Sequence, residues 1–294
     1  MLRKLPCLAL ALLLAGPASA ATGYALEHKV VVAQYESTKV TGELYLPAHR
    51  SARHPVLIAT HGGDWKYASS ALYRHWGPYL ARHGYALLAL DYRLVQGDIN
   101  RYPAAVDDVR AALRLIREHG AEHGLDAQRI GLIGDSAGAQ LAALAALTDG
   151  DGANAADGIK ALVGIYGVYD LAAQWQDDHA HRPDEDTVGD YLGTGPADNP
   201  ALYDEASPLK QVRTRDDAPA VLLVWGTRDD RVDGKAQSAA FLSALRGAGY
   251  PAGGLTMAGA PHYWASDPIK PGRNYPGYLA PRLLAFLRAH LPPQ

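Results

Sequence analysis

Cysteine is almost missing from this chain: Cys7 is the only one in 294 residues. No disulfide framework can be built, so stability must come from a packed core. Basic tracts are missing as well. The formal net charge is −3, and removal of Arg3 and Lys4 makes it two units more negative. Such a balance gives no footing for nucleic acid or for an anionic membrane surface. Beyond the first twenty residues no apolar run is long enough to cross a bilayer, and no internal repeat is present.

Residues 1–20, MLRKLPCLALALLLAGPASA, have the layout of a secretory signal peptide. Arg3 and Lys4 form a basic head, Leu8–Leu14 a short apolar stretch, and Ala18-Ser19-Ala20 a small-residue cleavage site. An uncleaved membrane anchor is the alternative, but the apolar stretch is short for it. Cys7 precedes that stretch, which argues against lipid attachment. The expectation is a secreted or periplasmic protein whose residues 21–294 are long enough for one large domain.

Short apolar runs alternate with helical periodicity through the rest of the chain. Val30–Val32 and Leu44–Leu46 flank a polar turn as an opening pair of strands. Further strands are expected at 55–60, 85–92, 129–134, 161–167, 221–226 and 254–259. Helices are expected at 71–82, from Pro103 to about His119, after Ser136, at 236–247 and over 276–290. This alternation predicts an α/β fold with a mostly parallel sheet and helices on both faces. Ligands of such sheets bind beyond the carboxyl ends of the strands, which gathers the loops after 60, 92, 134, 226 and 259. Residues 170–218, rich in acids, prolines and glycines, break the rhythm and read as an insertion over the sheet, too short and polar for a core of its own.

Four of those loops carry chemistry. GDSAG (134–138) places Ser136 between Gly134 and Gly138 at a strand-to-helix turn. Such a turn presents a nucleophile and needs small residues two before and two after it. The Ala137 N–H, at the start of the helix, is one expected oxyanion donor. THGGDW (60–65) supplies two more from Gly62 and Gly63, with His61 bracing the loop. WGTRDDRVD (225–233) offers Asp229, Asp230 and Asp233 as the acid. Asp229 is chosen as nearest the strand end, with Asp230 next. AGAPHYW (258–264) offers His262 as the base. The order Ser136, Asp229, His262 matches a Ser…Asp…His nucleophile-elbow hydrolase.

With HGGDW, GYALLALDYRL (84–94), YPAAVDDVRAALRLI (102–116), GDSAG, EASPLKQV (205–212) and GTRDDRV (226–232), the sequence resembles the α/β-hydrolases. It is most similar to hormone-sensitive-lipase-like esterases and their feruloyl/acetyl-xylan-esterase-like and arylformamidase-like relatives. The resemblance implies nucleophile Ser136, acid Asp229, base His262, and oxyanion donors on Gly62, Gly63 and Ala137. It departs from the lipase-like H-G-G-G pattern at Asp64, a carboxylate that would bias against anionic substrates.

Other features have plainer readings. The cluster Asp177, Asp178, His179, His181, Asp184, Glu185 and Asp186 has no metal-ligand spacing and reads as solvated charge, so no metal is expected. Trp65, Tyr263 and Trp264 flank the site loops, either lining an acyl or aryl pocket or serving as structural aromatics. Arg93 reads as an ion-pair partner. The expected function is a secreted serine hydrolase of small acyl or aryl esters, extracellular carbohydrate esters included, acting without a cofactor. An arylformamidase-like amidase or small peptidase would use the same machinery. A non-catalytic binding protein on this scaffold is the third reading.

Overall fold

The computed structural model describes residues 23–36, 38–48, 53–148 and 159–293. The expected leader, residues 1–20, lies outside them. In chain order the elements are strands β1 (Tyr24–Tyr35), β2 (Thr38–Pro47) and β3 (His54–Thr60), helix α1 (Trp76–Arg82) and strand β4 (Ala86–Asp91). Helix α2 (Ala104–His119), strand β5 (Leu125–Asp135), helix α3 (Ala137–Leu147) and strand β6 (Ile159–Ile165) follow. Then come helices α4 (Leu171–His181), α5 (Thr187–Leu192) and α6 (Pro200–Ala206). Strand β7 (Ala220–Gly226), helix α7 (Ala240–Gly247), strand β8 (Ala252–Met257) and helix α8 (Tyr275–His290) close the chain.

The strands form one sheet in the order β1-β2-β4-β3-β5-β6-β7-β8. The β1–β2 and β2–β4 pairs are antiparallel, and every pair from β4 to β8 is parallel. Each central strand is buried on both faces, which is why PVLIAT is apolar without alternation. Its side chains still divide by pleat. Val56 and Ile58 join the cluster that contains α2, α3 and α7, whereas Leu57 and Ala59 join the one that contains α1 and α8. In α2, buried Val106, Val109, Leu113 and Ile116 recur at helical spacing and meet the first cluster. Among the described residues no helix is long and apolar enough to cross a membrane.

Three segments depart from the expected boundaries. The helix expected over 71–82 splits into a 3₁₀ turn at Ser70–Tyr73 and α1 from Trp76. Pro78 accounts for the break: a continuous helix would need its missing N–H and would press its ring on the Arg74 carbonyl. Within the first turn of α1 neither cost arises. The helix expected at 236–247 opens with a wide turn at Lys235–Ala239, and its buried Gln237 accepts bonds from the amides of Tyr169 and Asp170 at 2.7 and 2.8 Å. Within the 170–218 stretch, expected as an insertion over the sheet, residues 171–206 hold helices α4, α5 and α6. Three of its polar residues are caps: Asp170 accepts from Ala173 N–H, Asp186 from Gly189 N–H and Asn199 from Leu202 N–H at the starts of α4, α5 and α6. Its apolar residues Val188, Tyr191, Tyr203 and Ala206 join the main core cluster.

The turn from β5 to α3 passes very close to the end of β3. A Cβ on Gly138 would lie 2.0 Å from the Thr60 carbonyl oxygen, and one on Gly134 would lie 2.3 Å from the Gly138 carbonyl oxygen. Thr60 Oγ1 also donates to the Gly138 carbonyl at 2.7 Å, tying the end of β3 to the start of α3. Gly138→Ala should therefore destabilise the protein by about 3 kcal/mol or more, at the upper end of overpacking costs, because the obstructing atom is backbone. Urea unfolding of the variant checks this, and a loss under about 1 kcal/mol would show that the crossing can relax.

Candidate active site

Ser136 sits between the last residue of β5 and the first of α3, with φ 53° and ψ −125°. A non-glycine residue there costs roughly 1–3 kcal/mol of backbone strain. The strained turn lifts the side chain clear of the strand, although only 5% of Ser136 is exposed. Its Oγ lies 3.0 Å from His262 Nε2, and His262 Nδ1 lies 2.7 Å from Asp229 Oδ2. A carboxylate can only accept, so Nδ1 carries the proton and Nε2 is left to accept from the serine hydroxyl. The other carboxylate oxygen of Asp229 accepts the amides of Arg231 and Val232 at 3.0 and 2.9 Å, which fixes its orientation. Of the three acids in that loop, Asp229 is the one that meets His262. Asp230 turns its backbone carbonyl to Arg182, and Asp233 caps the turn at Lys235.

The two loops are bonded to each other. Thr227 and Arg228 donate their amides to the carbonyls of Met257 and Ala260 at 3.1 and 3.0 Å, and Gly259 N–H donates to Thr227 Oγ1 at 2.8 Å. The His262 ring packs on Tyr166 with centroids 4.4 Å apart, and Ala265 N–H donates to the Tyr166 hydroxyl at 3.0 Å. Base and acid thus share one support.

The loop after β3 runs through positive φ at Gly63, Asp64 and Trp65, and Gly63 C=O accepts the amides of Lys66 and Tyr67. His61 braces it as expected from its position. Its Nδ1–H donates to Gly62 C=O at 2.7 Å, its ring stacks on Tyr92, and burial pushes its pKa below the ordinary imidazole value. Gly62 packs closely on the serine turn: a Cβ on it would meet Asp135 Oδ2 at 2.7 Å and Ser136 Cβ at 3.0 Å. Only a glycine fits this close to the serine turn. Ala137 stands at the first position of α3, where amides lack an intrahelical acceptor.

The aromatic candidates separate. Trp65 lines a cavity beside Ser136 while its indole stacks on Tyr191 at 4.3 Å and donates to Gln140 Oε1 at 2.9 Å. Tyr263 is 55% exposed and meets the His262 ring edge-on. Trp264 is not at the cavity; it is buried in the second core cluster against Tyr166, because its backbone lies in the 3₁₀ turn that leads away from His262. Arg93 pairs with buried Asp108 at 2.8 Å.

A small cavity of about 20 Å³ lies beside Ser136, and its lining includes Asp64, Trp65, Gln174, Arg182, Val188 and Arg231 together with Ser136 and His262. Most acids and histidines of 177–186 have side-chain partners of their own. Asp178 binds Arg182, His181 lies 3.1 Å from Asp177, His179 stacks on Trp175, and Glu185 holds Arg231 at 2.7 Å. Among the described residues no group of three such side chains could hold a metal ion. Arg231 also lies 4.0 Å from Asp64, which offsets that carboxylate's charge.

Gln174 and Arg182 carry no motif signal and reach the cavity only through tertiary packing, whereas Arg231 stood inside GTRDDRV without an assigned part. Asp135 stood inside the elbow motif without an assigned part. It is buried, accepts the Tyr73 hydroxyl at 3.1 Å, and burial pushes its carboxyl up to about 6 despite that bond and the Gly62 amide.

A family model described as BD-FAE matches residues 43–245. The chain belongs to the BD-FAE family, within the α/β-hydrolase superfamily. Esterase LipQ of Mycobacterium tuberculosis is 34% identical over 207 residues, which make up 67% of this chain and 47% of that protein. Esterase LipC of the same organism is 32% identical over 222 residues, 71% of this chain and 52% of the relative. The chain thus spans about half the length of these curated relatives. A butyrate-bound structure of a Thermogutta terrifontis esterase, Est2, superposes with TM-score 0.71 at 25% identity, covering 91% of this chain and 94% of that one. This BD-FAE chain has the α/β-hydrolase fold.

The raised Asp135 pKa has a stability consequence. The folded state keeps the proton up to about pH 6, while the unfolded chain releases it near the ordinary carboxylate value. The group therefore lowers stability as pH rises between those values, by about 3 kcal/mol in all. Asp135→Asn should gain on the wild type by that amount from pH 4 to pH 6. Parallel unfolding curves across this range check it, and a constant difference would mean that the carboxyl is ionised throughout.

Proposed function

We propose that this chain is a serine hydrolase of carboxylic esters, with Ser136 as nucleophile, His262 as general base and acid, and Asp229 as the group that orients and stabilises the imidazolium. The hydrogen-bonded series from Ser136 Oγ through both His262 nitrogens to Asp229 carries this reading. A serine hydroxyl attacks an ester only when a base takes its proton as the new bond forms, and Nε2 is placed to do so. Attack turns the carbonyl oxygen into an oxyanion, which the amides of Gly63 and Ala137 stabilise at the N-terminus of α3. His262 then returns the proton to the leaving alcohol, leaving an acyl-Ser136. Water, activated by the same nitrogen, repeats the steps and frees the acid. No cofactor takes part.

Support comes also from relatives named esterases, LipQ and LipC, and from the Thermogutta esterase, whose structures include butyrate-bound and sarin-phosphonylated forms. Residues 1–20 act as a removable leader in this proposal, and 21–294 form one domain exported to the periplasm or beyond. The 170–218 insertion closes over the cavity, with Trp65 lining it and Tyr263 at its rim. A polar cavity wall suits extracellular carbohydrate esters among the natural substrates.

Ser136→Ala and His262→Ala should each lower kcat on a short-chain aryl ester by about 10⁵-fold, and Asp229→Asn by about 10⁴-fold with slow residual turnover. Fluorophosphonate labelling followed by peptide mapping should give one adduct, on Ser136, lost in His262→Ala. A folded protein that takes no adduct would overturn the proposal in favour of a binding role. Faster turnover of aryl formamides than of matched esters would move it to an amidase.

A further inference from the structure

Tyr166 follows the last residue of β6, where the nucleophile turn, the acid strand and the base loop meet. The Ser136 N–H donates to the Ile165 carbonyl at 2.9 Å, and the Tyr166 N–H donates to the Val224 carbonyl at 2.6 Å. Val224 belongs to β7, the strand that leads to Asp229. The Tyr166 ring packs on the His262 ring with centroids 4.4 Å apart. The Tyr166 hydroxyl accepts the Ala265 N–H at 3.0 Å, just beyond the base in the same loop. Residues 165 and 166 therefore contact all three members of the triad or the segments that carry them.

The backbone pays for this placement, since Tyr166 has φ 38°. A bulky residue in that region is an outlier, and glycine would take the conformation without strain. What the position gains from tyrosine is the side chain, and a strained residue beside reacting groups points to a part in the chemistry. Tyr166 is 1% exposed and does not line the cavity beside Ser136, so it can act on a substrate only through His262. Burial pushes its phenol well above the ordinary tyrosine value, so the ring against His262 stays neutral.

His262 needs a third support. Its bonds to Ser136 and Asp229 fix two points of the imidazole and leave rotation about the line between them. Packing against the ring removes that freedom. The covalent link through Cβ removes it only if the loop itself is held, and the Ala265 bond to Tyr166 holds the loop. Tyr263 also meets the imidazole, edge-on, but it is 55% exposed and makes a weaker wall.

We infer that Tyr166 is a positioning residue for the general base, its ring fixing the plane of His262 and its hydroxyl fixing the loop that carries it. This inference rests on the ester-hydrolase reading above and deepens that same site. His262 serves both formation and hydrolysis of the acyl-enzyme, so a misplaced imidazole slows both steps and leaves KM nearly unchanged.

The test is steady-state kinetics on p-nitrophenyl acetate. Tyr166→Leu, which removes ring and hydroxyl, should lower kcat by about 10²-fold, the cost of misplacing a reacting group by about 1 Å. Tyr166→Phe, which keeps the ring, should recover most of that and lose only about tenfold, as expected for one buried hydrogen bond. KM should stay within about threefold in both. The same substitutions are then made in His262→Ala. Residues that act as one unit are strongly non-additive, so the loss from Tyr166→Leu should shrink there to less than about threefold.

A kcat for Tyr166→Leu within about twofold of the wild type would overturn the inference. An equal loss with and without His262 would overturn it as well, since a merely structural residue lowers any remaining turnover alike. If Tyr166→Leu does not fold, Tyr166→Phe carries both comparisons with its smaller factor. Fluorophosphonate labelling of the wild type separates this failure from that of the hydrolase reading. A Ser136 adduct with an insensitive Tyr166 removes only this inference, whereas no adduct and no turnover remove both.

Discussion

Everything at the site depends on how closely α3 passes the end of β3. The Gly138 Cα faces the Thr60 carbonyl at a distance that admits no side chain, and the turn folds back until Gly134 faces Gly138. This contact forces Ser136 into a conformation that L-residues rarely adopt and lifts its hydroxyl off the sheet. The strain persists because both flanking elements are held on all sides: every residue of α3 is buried, and β5 is hydrogen-bonded between β3 and β6. Asp135 and Gly62 complete the brace, placing a buried carboxyl beneath the loop that follows β3.

The remaining groups are brought to that serine by two further attachments. The loops after β7 and β8 are bonded across Thr227, Arg228, Met257 and Ala260, so His262 and Asp229 are held relative to each other before either meets Ser136. The helices of 170–206 are fastened to the acid loop by Gln174 and Arg182 and to the glycine loop by the Lys66–Asp190 contact and the Trp65–Tyr191 stack. The cavity is therefore enclosed by three loops that hold one another. Its polarity follows from those fastenings, since the side chains that attach the helices to the acid loop also form its wall.

Pattern alone identified most of the sheet, because a strand buried on both faces must be an unbroken apolar run and α2 must repeat its apolar residues at helical spacing. It failed where a local exception decided the outcome. Pro78 split one helix, and the six- and seven-residue helices α5 and α6 are too short to show a period. Their Asp and Asn caps resembled a solvated loop. Trp264 looked like a pocket residue by proximity to His262, but the turn after Tyr263 sends it into the core.

The sequence by itself determined that a serine would stand on a glycine-flanked turn, with an acid and a histidine following in order after later strands. That much depends on residue size and chain direction, both of which are local. Only the tertiary structure decided that Asp229 and not Asp230 faces His262, that Gly62 packs against Asp135 and the serine turn, and that Gln174 and Arg182 enter the cavity wall. Those choices depend on which side of a loop or helix faces inward. Neighbours distant in sequence set that, and neither composition nor spacing encodes it.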